Sequence, residues 1–196
     1  MSVPSTGSSD PPRVVPTGLA GLLVYEPRVF GDERGYFYES FNEDTFARLG
    51  LPTHFVQDNF SRSRRGVLRG LHFQNPRAQG KLVRCSLGRV WDVAVDVRPR
   101  SETFGKHFAL ELSDENRRAL WIPPGFAHGF TVLSDVAHFE YKCTDRWSPP
   151  DEKGVRWDDP ALGIAWPVSG EPTMSAKDRV YPTLAEAHAR GDFEGL

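Results

Sequence analysis

Glycine and proline interrupt this chain so often that long helices have no room between them: eighteen glycines and sixteen prolines fall across 196 residues. Breaks about every eight to twelve residues are the rhythm of an all-β chain. The segments between them alternate as strands do. The clearest is 89–98, RVWDVAVDVR, where Asp92, Ala94 and Asp96 follow Val90 on one side and Trp91, Val93, Val95 and Val97 occupy the other. Segment 104–112 (FGKHFALEL) alternates similarly, and 66–73, 81–86, 119–122, 130–133 and 138–143 add shorter strands between turns such as SDEN, PPGF and LSD. Helical signals are confined to the edges. Asn42-Glu43-Asp44 opens a short segment ending near Leu49-Gly50, and Thr183 opens an Ala-rich stretch that stops before Gly191. Many short strands in one unit predict an all-β sandwich or jelly-roll barrel with a ligand pocket at its mouth.

Bulk properties narrow the partners. A formal net charge of -2 gives no general attraction to nucleic acid or an anionic membrane. No apolar run approaches the roughly 20 residues that span a bilayer. The first residues, MSVPSTGSSDPPRVVP, lack the apolar core of a secretory signal, so residues 1–17 are expected to be a disordered leader. Two cysteines, Cys85 and Cys143, are too few for a disulfide framework and predict buried thiols in a reducing cytoplasm.

A catalytic metal in a small β-barrel needs about three or four converging ligands. A His-x-His pair on one strand would supply two, but His72 is followed by Phe73 and Gln74. His128 in PPGFAHGF adds a second histidine and no third is apparent, so no metal is expected. What remains suits proton transfer. Histidine is the side chain readiest to take a proton beside a ketone near neutral pH, and a carboxylate behind it orients the ring. A cation at a developing enolate oxygen lowers the barrier. His72, Asp178, Lys81 and Tyr141 are the candidates for base, orienting acid, cation and opposite-face donor. Each taken singly also reads as a structural or solvated residue. The arginines around Arg69 in SRSRRGVLRG point to an anionic ligand such as a pyrophosphate.

The segments FGDERGYFYESF, FVQDNFSRS, GVLRGLHFQ, QGKLVRCSLGRVWDVAVDVRPRSETFG, WIPPGFAHGF, EYKCTD, WDDPALGIAWP and SAKDR occur in that order. Together they make the chain resemble the dTDP-4-dehydrorhamnose 3,5-epimerase family over residues 18–185, with 186–196 left as a tail. The resemblance implies a cupin-type jelly-roll barrel with short peripheral helices, working as a homodimer without metal or organic cofactor on a dTDP-linked 4-keto-6-deoxy sugar. It implies His72 as general base, Asp178 as its partner, Tyr141 as proton donor and Lys81 beside the 4-keto oxygen. Arg34, Glu39, Gln57, Asn59, Arg69, His128, Trp147, Glu152 and Lys177 match sugar-nucleotide-binding positions. Asp158 and Asp159 of WDDP read as turn formers. Where relatives carry two aromatic residues this chain has Arg146-Trp147. That departure leaves open a monofunctional 3- or 5-epimerase, beside a non-catalytic sugar-nucleotide-binding barrel and a metal-dependent cupin.

Overall fold

Strands dominate the computed structural model, which describes residues 10–196. Strands β1 (Arg13–Pro16) and β2 (Leu23–Glu26) precede a hairpin of β3 (Val29–Asp32) and β4 (Gly35–Tyr38), then helix α1 (Glu43–Arg48). Next come β5 (Gln57–Arg64), β6 (Leu68–Gln74), β7 (Lys81–Leu87), β8 (Arg89–Asp96), β9 (His107–Ser113), β10 (Ala119–Ile122), β11 (Phe126–Val132) and β12 (Val136–Cys143). Strand β13 (Glu152–Gly154), a 3-10 turn at Asp178–Val180 and helix α2 (Leu184–Ala189) follow.

The strands form two large antiparallel sheets, ordered β1-β2-β10-β7-β12-β5 and β13-β6-β11-β8-β9, and the β3–β4 hairpin stands apart. Between the sheets lies a core that includes Val83, Val90, Leu112, Leu120, Phe130 and Phe139. Burying a side chain of this size contributes about 1.5–3 kcal/mol. Phe130 and Phe139 stack across the sheets with ring centroids 4.1 Å apart. The arrangement is the jelly-roll barrel that the alternation and the resemblance predict.

Both sheets are also covered outside. Val93, Val95 and Val97 pack with Leu162, Leu184, Ala187 and Phe193 from the C-terminal segment. Tyr25, Leu82 and Trp121 pack with Phe46 of α1. Strand β8 is therefore buried on both faces, which explains its near-continuous apolar run. Asn42 caps α1 through Thr45 N and Thr183 caps α2, as their sequences predict, and Glu186 completes a capping box that the sequence reading did not include.

Three expectations are corrected. Residues 13–16 are not disordered: β1 pairs with β2, and Arg13 bridges to Glu26 at 2.7 Å. The rest of the predicted leader includes residues 1–9, which lie outside the described residues. A boundary at 185 would cut α2, and the supposed tail carries Phe193, 1% exposed in the outer core. The strand expected at 130–133 begins at Phe126, inside the PPGF turn. Both cysteines are buried and unbridged, as the composition predicts.

Candidate functional site

Strand alternation normally turns apolar residues inward, but β5 turns Gln57, Asn59 and Ser61 toward the barrel interior. A polar inner stripe is tolerated because a cavity of about 390 Å³ opens there instead of a packed core. The cavity is walled by both sheets. Strands β6 and β11 contribute Arg69, His72 and His128, and β7 and β12 contribute Lys81, Phe139 and Tyr141.

His72 Nε2 lies 2.8 Å from Asp178 Oδ1. The carboxylate comes from the 3-10 turn and is 2% exposed. Burial alone would raise its pKa. Hydrogen bonding and charge from His72, the Ser175 hydroxyl and the Gly70 backbone N–H together hold it below the usual carboxylate value. When Nε2–H donates to this acid, Nδ1 is the imidazole's unprotonated nitrogen.

His128 is the direct cross-strand partner of His72 and has its own acid, Asp92 Oδ2 at 2.9 Å from Nε2. Gly70 and Gly129 let these strands approach: a Cβ on Gly70 would lie 2.5 Å from Gly129 Cα. Among the described residues, no three His, Cys, Asp or Glu side chains converge as a metal site.

Tyr141 faces the cavity from the opposite sheet. Burial raises its pKa, Cys143 and Glu152 add to the rise, and Arg69 opposes it. Lys81 is shifted the other way. Burial lowers its pKa against the pull of Cys143, Glu152 and Asp92. At the mouth, Trp147 N donates to Gln57 Oε1 at 2.8 Å and its indole Nε1 to Glu152 Oε2 at 3.0 Å, with Lys177 also bonded to Glu152. Trp147 as a whole is 57% exposed. Gln57 Nε2 donates to Asn59 Oδ1 at 2.9 Å, and Arg69 Nε to Ser63 Oγ at 3.2 Å.

Of the sequence-predicted residues, His72, Tyr141, Asp178, Lys81, Gln57, Asn59, Arg69, His128, Trp147, Glu152 and Lys177 line this one cavity. Arg34 and Glu39 do not. Arg34 is on the β3–β4 hairpin, paired with Asp32 at 2.5 Å, and Glu39 accepts from Asn42 Nδ2 at 3.0 Å. Arg146 is exposed and also absent from the cavity wall. Sequence reasoning missed Asp92 and Ser61. Asp92 left a signal, since a carboxylate inside so apolar a strand needs a partner. Ser61, whose buried Oγ has no partner among the described residues, left none.

Known proteins with this arrangement converge on one family. The family model described as dTDP-4-dehydrorhamnose 3,5-epimerase matches residues 16–186. The chain is 54% identical over 176 residues to the dTDP-4-dehydrorhamnose 3,5-epimerase of Salmonella typhimurium, covering 89% of this chain and 96% of the relative. It is 56% identical over 170 residues to that of Pseudomonas aeruginosa, covering 86% and 94%. Among solved structures, the dTDP-6-deoxy-D-glucose-3,5-epimerase of Legionella pneumophila Philadelphia 1, in complex with dTDP-4-keto-L-rhamnose, superposes with a TM-score of 0.88 at 48% identity, covering 92% of this chain and 96% of that one. Barrel, cavity and sequence therefore agree, and the chain belongs to the dTDP-4-dehydrorhamnose 3,5-epimerase family.

Proposed function

We propose that the protein inverts carbons 3 and 5 of dTDP-4-dehydro-6-deoxyglucose, giving dTDP-4-dehydrorhamnose. One observation carries the mechanism: an acid-backed imidazole and a buried phenol face one cavity from opposite sheets. Inversion at carbon needs a base on one side of the ring and a proton donor on the other.

The 4-keto group acidifies the hydrogens on carbons 3 and 5. His72 Nδ1 takes one proton, and the C–H electron pair moves into the enolate, whose oxygen Lys81 stabilises. Tyr141 returns a proton to the opposite face, and the tyrosinate and imidazolium are reset through solvent before the second inversion. The substrate's ketone is the electron sink, so the step requires no organic cofactor. Asp178 holds the ring nitrogen and stabilises the imidazolium. Trp147 offers an exposed indole face for the thymine ring, and Arg69 and Lys177 supply charge for the diphosphate.

A homodimer accommodates the two predicted binding residues that lie outside the cavity. The β3–β4 hairpin carries Arg34 and exposes Phe30, Tyr36 and Phe37, a surface suited to a second copy. The unbridged thiols suit a reducing cytoplasm. Among the described residues no helix is long and apolar enough to cross a membrane.

Incubation with the 4-keto sugar nucleotide in deuterated water, followed by NMR, tests the reaction. Deuterium at carbons 3 and 5 with both centres inverted is expected. Exchange at one carbon alone would make the protein a monofunctional epimerase, and no exchange at all would leave a binding barrel.

A further inference from the structure

We infer that Tyr181, in a slot opened by Gly154, is a positioning residue that fixes the His72 imidazole. The inference rests on His72 as the base. Tyr181 directly follows the 3-10 turn that supplies Asp178, so one short segment presents both a carboxylate and a ring to the same histidine. The tyrosine and imidazole rings meet edge to face, with centroids 5.7 Å apart and planes at 71°. Tyr181 is not part of the cavity wall, so its contact with His72 comes from outside the space the sugar would fill.

Gly154 makes this contact possible. It is the cross-strand partner of His72, and a Cβ there would lie 2.6 Å from atoms of the Tyr181 ring. Even alanine would drive the phenol off its seat. The segment is held at both ends. Asp178 bonds His72, and Arg156 N donates to Pro182 O at 2.8 Å, beside Val155, which is paired by backbone bonds with Leu71.

The physical need is plain. The terminal torsion of a histidine is broad and roughly two-fold. A single bond to Asp178 fixes one nitrogen but permits the ring to tilt about it. A second contact on the ring removes that freedom and holds Nδ1 on one bearing. The Tyr181 hydroxyl is not suited to proton exchange, because burial, then Glu152 and Asp178, all raise its pKa.

Three variants test this: Tyr181→Ala removes the ring, Gly154→Ala displaces it, and Tyr181→Phe keeps it without the hydroxyl. Solvent-deuterium exchange into the 4-keto sugar nucleotide and the nitrogen-15 resonances of the histidine rings are read for each. Misplacement on the order of 1 Å can cost about a hundredfold. Tyr181→Ala and Gly154→Ala are expected to lose roughly ten- to a hundredfold in kcat with KM within about threefold, and to broaden or shift the His72 ring signals. Tyr181→Phe restores both, and combining the two alanines costs little more than either alone. Unchanged ring signals in both alanine variants, or a Tyr181→Phe loss as large as Tyr181→Ala, overturns the inference. If Tyr181→Ala does not fold, Gly154→Ala decides alone by the same readings. Altered ring signals with full exchange activity would uphold the positioning and instead contradict His72 as the base.

Discussion

His72 and His128 sit directly opposite one another on neighbouring strands, yet each holds its own buried carboxylate, so the two rings are oriented independently. Tyr141 alone among the four proposed catalytic side chains is a neutral acid, and its raised pKa keeps it protonated through neutral and mildly alkaline pH. Tyr141→Phe is therefore expected to keep more solvent exchange than net inversion. Equal loss of both, measured by NMR in deuterated water, would remove it as the opposite-face donor. As the proposed enolate-stabilising cation, Lys81 should set the alkaline limit. Its pKa lies below the ordinary 10.5, so it becomes neutral, and enolate stabilisation fades, as pH rises through that lowered value. The alkaline limb of kcat should fall at a pH below 10.5, and Lys81→Arg should move it upward whatever its absolute rate. A limb that stays in place would assign the ionisation elsewhere. At this scale most of the cavity was legible through motif resemblance. Asp92 was visible only as an oddity within RVWDVAVDVR, because its partner His128 is distant in the chain and adjacent only after pairing. Arg34 and Glu39 matched by motif but not by place: Arg34 pairs with Asp32 on the β3–β4 hairpin and Glu39 accepts from Asn42, both outside the cavity.

Elements were legible where a strand has one apolar face or two, and illegible where the inward stripe is itself polar. Strand β5, QDNFSRSR, shows no apolar alternation because its inward stripe faces open space. The short β1, the exposed β3–β4 hairpin and the three-residue β13 carry too little apolar pattern to stand out. The reading of WDDP as turn chemistry fits the structure and acquires a second purpose. Asp158 pairs with Arg156 at 2.8 Å. Buried Asp159 accepts from Ala161 N at 3.0 Å and from Leu184 N at 2.7 Å, tying the loop to the start of α2. Asp159→Ala leaves two backbone donors unsatisfied and should destabilise the protein by about 1–3 kcal/mol. A lowered urea midpoint is the expected reading, and an unchanged midpoint would mean that α2 is held by packing alone.

At the scale of the molecule, two sheets packed as a barrel do what neither could alone. Between them they wall a cavity whose opposite sides carry unlike chemistry, with the stacked Phe130 and Phe139, one from each sheet, in its lining. Sedimentation should give twice the 22.0 kDa chain mass, and Phe37→Glu on the exposed hairpin should shift it toward one. A wild-type monomer with full activity would remove the second copy from the account. The barrel class and a pocket at its mouth were readable from punctuation and alternation; the size of that pocket and the strands that wall it were not, because emptiness leaves no pattern beyond misplaced polar residues. The central claim is that one imidazole removes the proton at both sugar carbons. His72→Asn, folded as judged by its melting curve, should lose deuterium incorporation at carbons 3 and 5 together by about 100- to 10,000-fold. Retention of near-full exchange at either carbon would contradict it.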